Sequence, residues 1–599
     1  MSQTINRRDL DFLIYELLDA ESLCERGYFS GQGRDIFDPM LDLAEDVARE
    51  HFQACAEAGD QHPAEVVNGK VRMIPEAGKA AGIMFEAGFV AAGMDSEHGG
   101  LQLPFTVASA CMAVFQSANI GLSGLPLLTA GVANLLIEYG NGEQKALYIP
   151  PLLDGRFYGT MCLSEPHAGS SLTDIRTRAE LLEDGTYAIT GNKMWITGGE
   201  HELGENIIHL VLAKIPGGPP GVKGISLFIV PRYRVNADGS AGEPNDVSLA
   251  GLNHKMGQRI TPNCALNFGE NGRCTGYLVG EPQRGLEYMF MMMNEARIGV
   301  GLSAVGVGYA GYLYSLEYAR ERAQGRMPDN KDPANQMVPI IRHADVKRML
   351  LAQKAYVEGG LALCLFAAML VDEKKTHPDR SARQEADLLL DVLIPVVKAW
   401  PSDWCLEANK HAIQILGGYG YTQDFPVERL YRDNRLNMIH EGTGGIHGID
   451  LLGRKVMMKN GAGFRLLVRE IQKDADGAAA HSALSEFATA LNRVVTTVTE
   501  TTEILATTAA RGELNRFLAN SSAYLDMLGH VVIAWMWLKQ AAVAQARLAD
   551  ANDADRQFYQ GKIQACRYFF RWELPKTQTQ AELLSGLDTT CLDMPEEAF

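Results

Sequence analysis

NMIHEGTGGIHGIDLLGRK, residues 437–455, sets one carboxylate, Glu441, directly ahead of Gly442 and Thr443. A glycine removes the Cβ that keeps a backbone and a ligand apart, and a short hydroxyl adds a donor and an acceptor beside the carboxylate. Taken alone, Glu-Gly-Thr reads as a solvated loop. Its company changes that reading: MCLSEPHAGSSLTDI (161–175), GNKMWITGG (191–199), YARERAQGR (318–326) and HAIQILGGYGYTQDFPVERLYRDNR (411–435) are each dense in small, hydroxylated, aromatic or cationic residues.

The chain has 599 residues, 46% hydrophobic and 21% charged, room for three to five domains of ordinary globular composition. A formal net charge of -18 argues against a nucleic-acid surface, which needs clustered Lys and Arg. Ten cysteines contain no Cys-x-x-Cys pair, and Cys264 and Cys274 fit no metal spacing, so no metal is expected. Free thiols fit a reducing cytosol, and a cytoplasmic location is expected. The longest tempting apolar run, LGHVVIAWMWL at 528–538, is short of the roughly 20 residues a membrane span requires. No span is therefore expected. The N-terminus alternates Arg7 and Arg8 with Asp9 and Asp11, a poor export signal and an amphipathic helix.

Periodicity divides the chain into five parts. A helical arm covers 1–36 and a helical domain 37–157, with Asp38-Pro39 predicting a helix start. Short β-rich runs punctuated by Gly and Pro predict a β-domain over 158–280, with Asp184-Gly185 as a hairpin signal. Helical periods return over 281–465. A polar break, REIQKDADGAAAHS, leads to a last helical unit over 480–599. The fold class is thus mainly α with a central β-domain and a C-terminal helical extension. Gly306, Gly308 and Gly311 satisfy G-x-G-x-x-G, but a helical run precedes them where that fingerprint needs a strand. Close helix packing explains them better than a nicotinamide site.

Together these stretches resemble, in order, the motifs of the acyl-CoA dehydrogenase family over roughly residues 75–465. The resemblance implies an α-helical domain, a β-barrel domain and an α-helical bundle. It implies an FAD-dependent enzyme that converts an acyl-CoA to a trans-2-enoyl-CoA. Glu441 would remove the pro-R α-proton while the β-hydrogen leaves as hydride to flavin N5. The thioester oxygen would be held by the Glu441 backbone N–H and the FAD ribityl 2′-hydroxyl. Some relatives place the base immediately before the Arg of the 285–311 helix, but that position is Ala296 here, and Glu295 lies about 100° around the helix.

Residue by residue, the same resemblance assigns Met161, Leu163 and Ser164 to the flavin ring region, and Ser170 to flavin phosphate or substrate. It places Trp195 on the isoalloxazine and Thr197 near N5. Arg322 would reach the FAD pyrophosphate of a neighbouring subunit, with Gln414, Gly417 and Gly418 around the adenosine and Thr443 also at the cofactor. Asn294, Arg297 and Gly442 would meet the substrate, and Tyr431, Arg432 and Asp433 would shape the approach to the base. Ser164 stands where the family has Thr, Ser171 where it has Asp, and Asn294 where it has an acid. An electron-transfer flavoprotein is the implied acceptor and a homodimer or dimer of dimers the implied assembly.

The N-terminal arm, the C-terminal unit and the phrase IIRHADVKRMLL (340–351) resemble the large bacterial subclass that includes 3-methylmercaptopropionyl-CoA dehydrogenases. A short or medium acyl chain, or that thioether acyl-CoA, is the substrate expected. Two alternatives stay open: an acyl-CoA oxidase passing electrons to oxygen, and a flavin-bearing nucleic-acid-binding relative. The second is disfavoured by residues 471–599, which carry 11 Lys/Arg against 16 Asp/Glu.

Overall fold

Long helices in an apolar core frame this protein, seen in a computed structural model that describes residues 4–330 and 332–599. The expected N-terminal arm begins outside the described residues, at 1–3, and Lys331 of the 324–341 loop also lies outside them. The rest of the arm is less regular than a single amphipathic helix. A five-residue helix, Arg7–Asp11, widens into a stretch of π-helix, Phe12–Leu17, whose Phe12, Leu13 and Ile14 are fully buried.

Helix α1 (Arg34–Val47) starts four residues before the predicted Asp38-Pro39 and carries Pro39 inside it. Asp38 does not cap: it accepts from the Tyr15 hydroxyl at 2.7 Å and pairs with Arg34 at 3.1 Å, while Phe37 is buried. Anchored on both sides, the helix tolerates the missing N–H. Helices α2 (Pro75–Glu86), α3 (Phe105–Tyr139) and α4 (Gly142–Leu153) complete this part. α3 is two helices in one line. Asn119 leaves helical geometry (φ −160°, ψ 88°), and its side-chain oxygen accepts from Leu122 N–H at 3.2 Å, restarting the helix as an N-cap does.

One sheet of eight strands follows: β1 (Phe157–Cys162), β2 (Arg178–Leu181), β3 (Tyr187–Thr197), β4 (Asn206–Lys214), β5 (Ile225–Pro231), β6 (Val247–Leu252), β7 (Asn263–Phe268) and β8 (Thr275–Leu278), with a separate two-stranded ribbon at Tyr233–Val235 and Ala241–Pro244. Their order is β6-β7-β3-β8-β5-β4-β1, and β2 pairs with both β3 and β4, closing a ring. Closure leaves few free edges, and alternate side chains fill the inside. The β2–β3 hairpin turns at Asp184-Gly185 as predicted, with Gly185 at φ +80°.

A three-helix bundle comes next, α5 (Gly285–Glu321), α6 (Ala344–Thr376) and α7 (Arg380–Leu416), followed by short α8 (Val427–Asn434) and α9 (Gly444–Asp450). Gly306, Gly308 and Gly311 lie within α5. A Cβ on Gly311 would sit 2.5 Å from Asn409 on α7, so these glycines do serve close helix packing. Helices α10 (Met458–Ala479), α11 (Ser485–Ala510), α12 (Ser521–Arg547), α13 (Asp553–Tyr568) and α14 (Lys576–Ser585) form the C-terminal extension. The polar stretch read as a break is helical as far as Ala479, and the chain turns only at 480–484: Ile471, Ala475 and Ala478 face inward at helical spacing while the charges face out. α12 packs on the chain's own bundle, where Trp537 donates to the Ala355 carbonyl at 3.0 Å.

The expectation that no segment is long enough to span a membrane needs correction. By length and composition α3, α6 and α12 all reach that threshold. Counting uninterrupted apolar residues missed them, because small and hydroxylated residues extend each helix without making it polar. The share of each apolar window buried in the protein is 61%, 89% and 83%.

Candidate active site

The turn after α8 puts Glu441 at φ +54° and Gly442 at φ +97°. Glutamate in the left-handed region is uncommon, and such geometry persists where its surroundings impose it. Two buried side chains do so here. Lys398 of α7 donates from Nζ to the Gly442 carbonyl at 2.6 Å, and His447 of α9 meets the Glu441 carbonyl through Nε2 at 3.0 Å. Burial holds the His447 imidazole down to about 3, so the ring is neutral and the hydrogen on Nε2 is the one that donates. Gly442 is required sterically: a Cβ there would lie 2.8 Å from His447 Nε2.

The Glu441 carboxyl is half-buried, and burial raises its pKa above the usual glutamate range against the pull of Arg297 and Lys398. Burial lowers the Lys398 pKa to about 8, against the pull of Asp403 and Glu441. Arg297 is buried on α5, and its Nε has no hydrogen-bond partner among the described residues. Asn294 lies three residues earlier on the same helical face. Glu295 belongs elsewhere. It accepts from Asn134 at 3.2 Å, and its charged neighbours are Lys375 and Lys374 rather than those of Glu441.

A second cluster forms where β1 meets β3. Met194 and Trp195 together stand opposite Ala265, a β-bulge, and Trp195 takes φ +66° with 61% of its surface exposed. Bulges re-aim side chains, and here the indole is turned outward from a strand whose neighbours are core. Ser164 accepts from Met194 N–H at 3.0 Å, and Thr197 accepts from Asn263 at 3.4 Å. Met161, Leu163, Ser164, Trp195 and Thr197 are therefore brought together. A buried brace fixes them: Lys193 Nζ bonds Glu165 at 3.0 Å and the Leu163 carbonyl at 2.9 Å, and Glu165 accepts from Arg176 and Thr177 N–H. Ser170 is exposed on the same loop, and the neighbouring Ser171 bonds Asp174, an acid three residues further on.

Arg322, Gln414, Gly417 and Gly418 make a third, exposed patch, with the Arg322 guanidinium 5.6 Å from the Tyr419 ring centroid. Arg322 follows Arg297 by 25 residues along the line of α5, roughly 37 Å at the helical rise. One chain does not bring Arg322 to Arg297. Arg432 pairs with Asp60 at 2.6 Å and Glu428 at 2.7 Å, and Asp433 accepts from Gln258. Asp433 thus ties α8 to the loop between β6 and β7, and Arg432 ties it to Asp60 of the N-terminal helical part.

Sequence reasoning missed Lys398, His447 and the Lys193–Glu165 pair. Lys398 had a signal: it is the one charge inside LIPVVKAW (393–400). No group of three or more His, Cys, Asp or Glu suited to a metal ion occurs among the described residues.

The chain matches four family descriptions in order: acyl-CoA dehydrogenase N-terminal domain over 40–156, middle domain over 160–270, C-terminal domain over 283–457, and acetyl-CoA dehydrogenase C-terminal like over 467–595. It is 38% identical to the 3-methylmercaptopropionyl-CoA dehydrogenase of Ruegeria pomeroyi, covering 85% of this chain and 86% of that one. It is 34% identical to the broad-specificity linear acyl-CoA dehydrogenase FadE5 of Mycobacterium tuberculosis, with 99% of both covered. It is 32% identical to a butyryl-CoA dehydrogenase of Syntrophomonas wolfei, covering 99% of this chain and 98% of that one. The crystal structure of an acyl-CoA dehydrogenase complexed with FAD from Bacillus anthracis shares the fold, with a TM-score of 0.75 at 19% identity over 95% of this chain and 90% of that one.

Proposed function

The chain belongs to the acyl-CoA dehydrogenase family, and from that premise we propose that it oxidises a short or medium linear acyl-CoA to the trans-2-enoyl-CoA, with Glu441 as the α-proton base. The observation that carries this is the Glu441 turn: a carboxylate in left-handed backbone geometry, raised in pKa by burial and faced by two buried cations. A raised pKa suits a group that must take a proton near neutral pH.

FAD fits the residues present. An exposed, strained Trp195 offers a flat apolar face beside the Ser164 loop, and the Lys193–Glu165 pair holds both strands in place. FAD, when bound, supplies the acceptor for the β-hydride. Met161, Leu163, Ser164 and Thr197 line its ring region, with Ser170 and Thr443 nearby. Arg297 and Asn294 orient the acyl-CoA, and Gly442 lets it approach the base. The Glu441 N–H stands where charge develops on the thioester oxygen. Glu441 then takes the α-proton, with Arg297 and Lys398 tempering its basicity. Arg322, Gln414, Gly417 and Gly418, far along the bundle, serve FAD of a second copy, which makes the active form a homodimer or dimer of dimers. An electron-transfer flavoprotein accepts the electrons.

Trp195→Gly is expected to weaken FAD binding by about two- to tenfold, the size of a lost aromatic stack. Glycine adopts positive φ freely, so the apo-protein should not melt lower. Flavin retention and apo melting check both. Unchanged FAD affinity would remove Trp195 from the site.

A dye-coupled screen over acyl-CoAs tests the substrate. Activity is expected from butyryl- to octanoyl-CoA and on 3-methylmercaptopropionyl-CoA, with little discrimination by sulfur, since a thioether is close in size to a methylene. The names of the three relatives support this range. A kcat/KM optimum at palmitoyl-CoA or a branched acyl-CoA would overturn the substrate and leave the mechanism standing.

A further inference from the structure

We propose that Lys398 is a positioning residue for Glu441, acting with His447 to hold the two successive carbonyls of the base's own turn. The inference rests on Glu441 being the base. Lys398 is fully buried on α7, and its Nζ lies 2.6 Å from the Gly442 carbonyl. A buried ammonium is costly, and this one donates to a backbone carbonyl beside the carboxylate rather than to a closely paired acid. His447, fully buried on α9, donates from Nε2 to the Glu441 carbonyl at 3.0 Å. Two helices from different parts of the chain thus grip one dipeptide. Their grip keeps Glu441 at φ +54° and aims its carboxylate.

The charges around this turn are few. Glu441 faces Arg297 and Lys398; Lys398 also faces Asp403, Arg297 and His440, whose imidazole burial keeps neutral; His447 faces Lys398, Arg297 and Asp450; Arg297 also faces Asp450 and Arg454. Lys398 therefore does two things that a purely structural lysine would not do together: it sets the base's place and it favours the base's ionised form.

The test is the pH dependence of flavin bleaching by butyryl-CoA in the holoenzyme, without acceptor. Lys398→Met is expected to slow bleaching about 10- to 100-fold through misplacement of the carboxylate. It should also move the acid limb to higher pH, because a cation favouring the carboxylate is gone. Lys398→Arg should keep the limb near its wild-type position. His447→Ala should slow bleaching without moving the limb, because the ring it removes is neutral. An unmoved limb in Lys398→Met overturns the proposal. If that variant fails to retain flavin, Lys398→Gln, which keeps a donor without charge, takes its place. If neither retains flavin, a wild-type rate in His447→Ala overturns it. Glu441→Gln run in parallel separates the two readings: if it bleaches at the wild-type rate, the base assignment itself has failed.

Discussion

Glu441→Gln is expected to lower kcat by more than about 10²-fold, the lower end of what a positioned general base contributes. Glutamine keeps the shape and the backbone turn but cannot accept a proton. FAD retention and acyl-CoA binding should therefore persist while turnover is lost. Stability should move the other way. Burial raises the Glu441 pKa in the folded protein, so above that pKa the folded state carries an ionised carboxylate that water would solvate better. Removing the charge relieves that cost, and the variant should melt at or above the wild type near neutral pH. The wild-type rate should fall as pH drops through the Glu441 pKa, on a limb above the usual glutamate range. Steady-state kinetics, flavin absorbance and thermal melts measure all three. Retention of more than a tenth of wild-type kcat would mean that another group serves as the base.

The second large effect lies far from the chemistry. Lys562 of α13 is fully buried and bonds Glu358 of α6 at 2.8 Å and Gln540 of α12 at 3.0 Å, and it pairs with Asp9 of the N-terminal arm. Asp9 also accepts from the Tyr309 hydroxyl of α5 at 2.9 Å. Glu358, between Lys562 and Lys354, is held below the usual range, whereas burial beside Glu358 pushes Asp9 up. Lys562→Met would leave two buried carboxylates with one ammonium, Lys354, and is expected to cost about 3–5 kcal/mol. The arm should loosen first, since Asp9 is its charged anchor. Asp9→Asn added to Lys562→Met should recover part of the loss, because the two changes are coupled through one contact. Urea midpoints and proteolysis near the N-terminus measure these effects. A single-variant loss below about 1 kcal/mol would show that the cluster contributes little.

Much of the site was legible because its chemistry is local in sequence. Glu441-Gly442-Thr443 is one turn, Met161 to Ser170 one loop, and Trp195 to Thr197 one strand end. Each is compact enough in sequence to be matched to a motif, and the resemblance to the acyl-CoA dehydrogenase family, not the residues by themselves, assigned the proposed roles. The helical extension and the β-domain were legible for the same reason, since periodicity is a property of neighbouring residues. The polar stretch at 469–482 was misread because polarity on one helical face looks like a break when the buried Ile471, Ala475 and Ala478 are not yet seen to align.

The amino-acid order thus determined the class of fold and the order of its parts, and its resemblance to a known family pointed to the proposed base. Tertiary structure decided which distant side chains serve them. Lys398 lies 43 positions before Glu441, and Lys562 lies 553 after Asp9. Nothing in either neighbourhood marks its partner, because a buried ion finds its partner through the packing of whole helices. The same holds for Trp195, whose outward turn depends on Ala265 of another strand standing opposite two residues rather than one. Arg322 is the reverse case: its segment was recognisable, yet the length of one helix carries it away from Arg297, which is why the proposed role for it lies toward a second copy.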